Sequence, residues 1–525
     1  MKRWVFRIGC LLLAVSLAMG LGSFSLPDLG NRALADDSPL ELTTQAGYRG
    51  FVKQNRWNPI SLTLTNNGED TKGELVLEVV TPNNTKDTAY VVPMELPSGT
   101  TKTVTLAMPG MTLTKQNNTI LFYEGGVKGG KRKMFQEGSG YLSAQADSEQ
   151  TTTFGIVSRD PDTMNILALL GQKGYSVRRV PIAAAELPEE AILLDSLDVL
   201  ILNDVSSGEW SGQQIRAILD WVAGGGQLFL AGGVTYPKTA AAFDEWSPVE
   251  AGSTVSLTRL SALEEKVGVQ LELGEPFTVM NGRLREGAVP VLMEGDVPIA
   301  AYRTHGMGRI WYMAYDLALQ PVATWSGNVS LWESLLSGVL TFVPQSSSSS
   351  FAGTYWDLSH ALEWFPSMKL PSFLPLVLVL LLYALVAGPI LYAVLKRFGK
   401  REYAWVVIPL LAVAVSVGIY GFGATGRGGT MVQALSLTQL DGSGTGSERV
   451  ALSLFEPKGG SYEVAIDGSY ATFPVVSQTW PGISQELYGS VDTYMTRGME
   501  RTTIRYVDVP YWSVRKMWLQ GDGRQ

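Results

Sequence analysis

The chain has almost no cysteine and little charge. Its single cysteine, Cys10, lies in an apolar run near the N-terminus, so a chain cleaved after that run holds no thiol. Disulfides, thiolate metal sites and cysteine nucleophiles are then excluded. Charged residues make up 17% of the 525 residues, below the ~25% of ordinary soluble domains. The net charge of −8 argues against nucleic acid as a partner, because a phosphate-binding surface needs a positive excess.

The first 35 residues have the pattern of a secretory signal peptide. Basic residues at positions 2, 3 and 7 precede the apolar run Ile8–Leu21, and Ala33-Leu34-Ala35 forms a small-residue cleavage motif. The stretch between the run and this motif is long for a cleavage region, so an uncut N-terminal anchor is an alternative. Both alternatives send residues 36 onward across the membrane.

Two later runs, residues 373–395 and 403–424, are uncharged and long enough to cross a membrane. A helix over the first run reaches about 34 Å, which exceeds the ~30 Å hydrocarbon core of a bilayer. Two buried helices of a soluble domain are the alternative, but core helices of this length usually carry a polar stripe. Residues 346–371, with five consecutive serines and an aromatic cluster, are predicted to be a linker and an interfacial segment.

The loop between the two runs, residues 396–402, is short and strongly basic. Its positive residues are Lys396, Arg397, Lys400 and Arg401. The positive-inside rule places such a loop in the cytoplasm. We therefore predict a multi-pass protein of the cell membrane whose large domains are extracytoplasmic.

Two segments show the period-two alternation of β-strands. In residues 40–147, Ile60, Leu62 and Leu64 alternate with polar residues, and turn clusters separate such runs, which predicts an all-β sandwich. Residues 430–525 alternate in the same way and predict an extracytoplasmic β-rich domain. Because the chain stops without a closing element, this domain is either small or an incomplete part of a longer protein, and both alternatives stay open.

Residues 153–343 alternate between strand and helix patterns, which predicts a parallel sheet covered by helices. Apolar strands are expected at Phe154–Val157, Val177–Val180 and within 198–204. Met164, Leu167 and Leu170 recur at helical spacing after the first strand. A later helix is expected to begin at the capping box of Ser211 and Gln214 and to end at Gly224.

The stretch DVLILND…GQQIRAILDWVAGGGQLFLAGG, from Asp198 onward, resembles the class I glutamine-amidotransferase-like (flavodoxin-like) domain. Residues 302–336 and 382–413 resemble the closing elements and the paired spans of uncharacterised bacterial envelope membrane proteins that contain such a domain. The resemblance covers roughly residues 150–425 and implies a flavodoxin-like fold. It does not imply the amidotransferase reaction, which needs a cysteine nucleophile with a histidine base, whereas the two histidines here are His305 and His360.

Ligands of open α/β sheets bind beyond the carboxyl ends of the strands. The candidate ligand-binding residues at this edge are Asp204, Ser206, Ser207, Gly232, Gly233 and Tyr236. Residues 204–208 resemble the metal-ion adhesion motif D-x-S-x-S, but Gly208 replaces the last serine, which favours a plain turn. His305 is expected in a hairpin-like turn and Asp316 at a cap. We assign no catalytic residue, no metal site and no cofactor.

These observations predict a multidomain, non-enzymatic, membrane-anchored cell-envelope protein whose extracytoplasmic domains bind a partner or ligand. Other membrane or envelope proteins are the expected partners, within a membrane assembly. The missing cysteine argues against an enzyme without excluding one. An extracytoplasmic hydrolase using the strand-end edge and a ligand sensor are the alternatives. Serine and aspartate positioned together at the sheet edge would favour the hydrolase, and an apolar, closed edge would favour a scaffold.

Overall fold

The structure is a computed structural model that describes residues 39–80, 86–160, 162–342, 362, 373–425, 430–440, 445–475, 491–498, 500–511 and 513–524. The predicted signal peptide, almost all of the predicted linker and interfacial segment, and His360 lie outside the described residues. The described chain is multidomain and rich in strands, with two long apolar helices.

The N-terminal part consists of short strands arranged mainly in two sheets. The strands are β1 (Leu40–Ala46), β2 (Phe51–Lys53), β3 (Trp57–Asn66), β4 (Thr71–Val80), β5 (Lys86–Leu96), β6 (Thr101–Pro109), β7 (Asn118–Glu124), β8 (Lys131–Lys133) and β9 (Gln145–Asp147). Strand β3 lies between β1 and β6, and β4 lies between β5 and β7. The predicted alternation of β3 is confirmed, because Ile60, Leu62 and Leu64 are fully buried while the hydroxyls between them face threonines of β6.

The second part alternates strands and helices. Its strands are β10 (Thr152–Ser158), β11 (Val177–Pro181), β12 (Val199–Asn203), β13 (Gln227–Ala231), β14 (Val249–Leu257), β15 (Phe277–Leu284), β16 (Ala288–Glu294), β17 (Val297–His305) and β18 (Gly308–Met313). Its α-helices are α1 (Gly212–Ala223), α2 (Tyr236–Ala240), α3 (Ser261–Val267) and α4 (Asn328–Leu335). Seven strands form one sheet in the order β11-β10-β12-β13-β18-β17-β16. The first five of these run parallel, β17 runs antiparallel to β18, and β16 runs antiparallel to β17 and thus in the direction of the first five.

Two helices of this part show how local sequence sets the backbone. Helix α1 begins at the predicted capping box, where the Ser211 hydroxyl accepts from the Gln214 N–H and the Gln214 side chain accepts from the Ser211 N–H. The predicted helix after β10 is a 3₁₀ helix, Asn165–Lys173. Its buried residues Leu167 and Leu170 are three apart, which matches three residues per turn rather than 3.6.

Two apolar helical segments follow. The first comprises α5 (Phe373–Leu385), a π-helical turn (Val386–Ile390) and α6 (Leu391–Arg397), and the second is α7 (Ala404–Thr425). Both are long and apolar enough to cross a membrane, and neither is buried against the rest of the chain. Pro389 lies in the π turn, because proline has no N–H for the regular helical bond and its ring crowds the preceding turn.

The chain ends in another set of strands, which join the N-terminal part. They are β19 (Met431–Leu440), β20 (Thr445–Glu456), β21 (Gly460–Asp467), β22 (Ala471–Val475), β23 (Thr493–Arg497), β24 (Arg501–Val509) and β25 (Ser513–Arg524). Strand β23 pairs in parallel with β5, with Met495 opposite Tyr90. This pairing creates a seven-stranded sheet in the order β21-β24-β23-β5-β4-β7-β8.

The structure therefore differs from the expectation of two separate β domains at residues 40–147 and 430–525. Leu62 and Tyr90 of the N-terminal strands lie in the same buried cluster as Ile504 and Met517 of the C-terminal strands. The sequence could not show this, because alternation reports which face of a strand is buried and not which strand lies beside it.

Candidate functional site

Asp204 lies where the sequence placed it, directly after β12 at the carboxyl-end edge of the parallel strands. Its backbone has a φ of +51°, in the left-handed region that is uncommon for residues other than glycine. The carboxylate is 9% exposed and its Oδ2 is 3.2 Å from Nε of Arg159. Asp204 is therefore paired with the exposed guanidinium of Arg159, which extends over this edge from the solvent side.

The two serines of this edge do not form an open nucleophile site. Ser207 is fully buried, and its hydroxyl accepts a hydrogen bond from the Ala242 N–H at 3.0 Å. The neighbouring Val205 N–H donates to the Thr239 hydroxyl at 3.2 Å, so the loop after β12 is tied to α2 and the residues that follow it. Ser206 is half-buried between these two attachments.

Tyr236 is part of the core rather than of a binding surface. Its side chain is fully buried, its hydroxyl lies 2.7 Å from that of Ser247, and its ring meets Tyr312 edge to face at 4.8 Å. Burial raises the pKa of Tyr236 above the ordinary value, so the hydroxyl stays protonated. A side chain held in this way fixes the start of α2 against β18.

The glycines at the end of β13 are explained by contacts within the fold. Gly232 and Gly233 both have positive φ values, +153° and +55°. A Cβ on Gly232 would lie 2.9 Å from the Thr235 hydroxyl, and one on Gly233 would lie 3.0 Å from the Asp316 N–H nitrogen. Both positions thus need glycine for the turn and for close packing, without a ligand.

Asn203 and Asp316 form a further hydrogen-bonded pair, which closes this edge on the side of β18. The Asn203 amide donates to Asp316 Oδ1 at 2.8 Å and accepts the Leu317 N–H at 3.0 Å. Asp316 also accepts the Ala318 N–H at 2.9 Å, the geometry of a turn cap. Five of the six candidate residues are buried, Ser206 being the exception. Within the described ranges, no three His, Cys, Asp or Glu residues are grouped to hold a metal ion.

His305 ends β17, opposite Gly308, and the pair encloses the two-residue turn of Gly306 and Met307. The expected hairpin turn is therefore present. It packs against the end of α1, where the Met307 N–H donates to the Ala223 carbonyl at 2.9 Å.

Sequence reasoning missed a buried ion pair where the β part meets the α/β part. Lys53 is 4% exposed, and its Nζ lies 2.5 Å from Oδ2 of Asp198. The same oxygen accepts the Thr153 N–H at 2.7 Å. Desolvation lowers the pKa of Lys53, against the opposing attraction of Asp198. A lone lysine in a three-residue strand and an aspartate at a strand start give no recognisable motif.

Further charged pairs surround this one. Arg178 binds Asp147 through two nitrogens, at 2.7 and 2.8 Å, and its guanidinium lies 3.9 Å from the centre of the Phe51 ring. Asp195 accepts from Arg56 Nη1 at 3.4 Å and from the Trp57 N–H at 2.8 Å. These ion pairs hold the β part against the α/β part, since each charge faces an opposite charge across the junction.

The four basic topology residues lie at one end of the pair of apolar helices. Lys396 and Arg397 are in the last turn of α6, and Lys400 and Arg401 begin the 3₁₀ turn that leads into α7. The guanidinium of Arg401 lies 5.7 Å from the centre of the Tyr392 ring. The structure thus brings all four charges to the turn between the helices.

Two family models match parts of this chain, and neither describes a function. Residues 39–139 match "Domain of unknown function (DUF8726)", and residues 175–319 match "Domain of unknown function (DUF7408)". Each match covers less than half of the chain. No curated protein matches it.

Several solved structures show weak similarity. The cytoplasmic protein STM3548 of Salmonella typhimurium is 17% identical, with 36% of this chain and 99% of that one covered and a TM-score of 0.29. The cytoplasmic protein STM1381 of Salmonella typhimurium LT2 is 14% identical, with 36% and 100% covered and a TM-score of 0.30. The exo-beta-1,4-mannosidase Op5Man5 of Opitutaceae bacterium strain TAV5 is 16% identical, with 37% and 36% covered and a TM-score of 0.25. TM-scores this low support no inference about this chain.

Proposed function

We propose that the chain is a membrane-anchored cell-envelope protein that acts by binding rather than by catalysis, with its folded parts outside the cytoplasm. The observation that carries this proposal is the pairing of β23 with β5. A sheet cannot be shared across a bilayer, because open strand edges are not stable in hydrocarbon. The strands before and after the apolar helices therefore belong on one side of the membrane, which requires an even number of crossings, and two such helices are described.

The charge of the turn supports the orientation. Lys396, Arg397, Lys400 and Arg401 lie together between the two helices, and short loops rich in lysine and arginine stay in the cytoplasm. The signal-like N-terminus independently favours the same orientation. The described strands before and after the helices then belong to one extracytoplasmic body.

The α/β part is proposed to be flavodoxin-like, in the wider class of amidotransferase-like domains. Its first four strands have the spatial order β11-β10-β12-β13, which corresponds to the order 2-1-3-4 of flavodoxin-like sheets. The chain departs from the amidotransferase pattern in having no cysteine beyond Cys10. The fold is therefore proposed without the reaction.

The closed strand-end edge supports binding over hydrolysis. A serine hydrolase needs an accessible hydroxyl beside a base. Ser207 is instead fully buried with its hydroxyl accepting the Ala242 N–H, and Asp204 is paired with Arg159. A binding protein has no such requirement and can use its outer surface. Partners in the envelope or membrane are the expected ligands of that surface.

Labelling of single cysteines in intact cells tests the topology. In a Cys10→Ser background, Lys128→Cys, Phe398→Cys and Glu500→Cys place one exposed thiol before, between and after the apolar helices. We expect a membrane-impermeant maleimide to label Lys128→Cys and Glu500→Cys directly, and Phe398→Cys only after permeabilisation. The outer two positions serve as controls for each other, because the shared sheet requires them to behave alike.

Two results would contradict the proposal. Opposite accessibility of Lys128→Cys and Glu500→Cys would show that the chain crosses the membrane an odd number of times between them. Labelling of Phe398→Cys alone in intact cells would show that the orientation is reversed.

A further inference from the structure

Strand β19 is an unusual sheet edge. Among the described strands it pairs only with β20, from Met431 opposite Phe455 to Leu440 opposite Gly446. In an antiparallel ladder about half of the main-chain groups of an edge strand point away from its neighbour. The ten residues of β19, MVQALSLTQL, include no charge, no proline and no glycine.

The other edge strands of the described sheets are protected. Each contains a charged residue or a proline, the usual means by which proteins prevent edge-to-edge pairing. In β8, for example, all three residues are basic, β16 contains Pro290, and β21 contains Glu463 and Asp467. The sequence therefore blocks pairing elsewhere and leaves β19 able to pair.

Apolar side chains are exposed along this edge. Val432 is 62% exposed, Leu437 48% and Leu440 38%. Exposed apolar side chains on a long, unprotected edge indicate a surface that is covered in use or that aggregates.

We propose that β19 pairs antiparallel with β19 of a second copy, so that the two four-stranded sheets join into one. The pairing rests on the proposed function, because anchoring holds both copies in one bilayer. Helix α7 ends at Thr425 and β19 begins at Met431, so every anchored copy presents this strand close to the membrane and at the same height. A second copy therefore presents a strand of the same length at that level.

The absence of charge on β19 also favours β19 of a second copy as its partner strand. Two-fold pairing sets each residue opposite a residue of the same strand, and like charges directly opposite each other are destabilising. Strand β19 brings no charge to such a pairing. The contact between two strands is small for a stable interface in solution, so we expect the pair to depend on the high local concentration in the membrane.

A cysteine scan along the outward face tests this pairing. In the Cys10→Ser background, single cysteines replace residues 432, 434, 436, 438 and 440, and membranes are treated with a mild oxidant. Antiparallel two-fold pairing predicts one maximum of disulfide-linked dimer, at the position nearest the symmetry axis, with lower yields on both sides. The matched control is Ala465→Cys, an exposed position on the charged edge strand β21, which is expected to remain monomeric.

Charge substitutions provide the second readout. Ser436→Lys or Ser436→Glu alone places like charges across the axis, and we expect dimer to fall by up to about fivefold. Co-expression of the two variants is expected to restore a mixed dimer, which misfolded variants could not form. Chemical cross-linking in nanodiscs containing two copies measures the dimer yield of each single variant and of the mixed pair.

A flat cross-linking profile, equal yield at Ala465→Cys, or cross-links only to a different protein would overturn the pairing. Failure of the proposed function gives a different result. If the β19 cysteines react with an impermeant maleimide only after permeabilisation, the orientation is wrong. If they react from outside but do not form dimer, the orientation stands and the pairing does not.

Discussion

Lys53 is a charge that can stay buried only while its partner is present. Asp198→Ala leaves the ammonium unpaired at 4% exposure, and we expect a loss of about 3–5 kcal/mol in the free energy of unfolding. The exposed pair of Lys72 and Glu95 is the matched control, and Glu95→Ala is expected to change stability little, because both side chains are solvated. Denaturant unfolding in detergent measures both variants. Equal losses would mean that the buried pair does not hold the junction.

Tyr236 makes the stability depend on pH above about 10. Burial raises its pKa in the folded state, so over this range the unfolded chain loses the phenolic proton while the folded chain keeps it. Stability is therefore fully present below about pH 10 and falls as pH rises, by about 1.4 kcal/mol per pH unit for one such tyrosine. Tyr236→Phe should reduce that slope by this amount.

Ser247→Ala provides the control for this tyrosine. It removes the partner of the Tyr236 hydroxyl without removing the titrating group. We expect lower stability at every pH with the alkaline slope retained. A slope that is the same in wild type and Tyr236→Phe would show that this residue does not titrate differently in the two states.

At the scale of elements, local signals were predictable and distant contacts were not. The capping box of α1 and the burial of Ile60, Leu62 and Leu64 follow from residues within a few positions of each other. The closure of the strand-end edge depends on pairs such as Ser207 with Ala242 and Asn203 with Asp316, 35 and 113 positions apart. The sequence could place the candidate residues at the edge. It could not show that their polar groups are hydrogen-bonded to other parts of the same fold.

The turn between β17 and β18 needs glycine both for its backbone conformation and for close packing. The turn between β16 and β17 needs glycine for its backbone conformation alone. Gly306 has a φ of +60°, and a Cβ there would lie 2.5 Å from the Ala223 Cα. Gly295, in the turn between β16 and β17, has a φ of +58° with open space around it. Gly295→Ala should cost about 1–2 kcal/mol for the backbone alone. Gly306→Ala should cost about 1–3 kcal/mol more, since the end of α1 must move.

The free energy of unfolding of the two glycine variants, measured side by side, separates these causes. Equal losses would show that the contact with α1 adjusts freely, so that only the left-handed backbone matters at this turn.

At the scale of the whole molecule, the C-terminal strands complete a core that the N-terminal strands only begin. Tyr90 and Trp57 are almost fully buried in the cluster that contains Ile504 and Met517, and the Trp57 indole donates to Gln520 at 2.9 Å. Residues 39–342 alone would expose this apolar surface. We expect that fragment to aggregate or to bind hydrophobic dyes.

Replacement of residues 343–429 by a flexible glycine-serine linker tests this dependence without the membrane helices. The linked protein should be soluble and should unfold with Trp57 and the C-terminal strands in one cooperative transition, because a shared core couples both segments. Its matched control lacks residues 491–524, which contribute β23, β24 and β25. If that control unfolds like the linked protein, the N-terminal strands form a complete domain by themselves, and the even number of membrane crossings loses its structural basis.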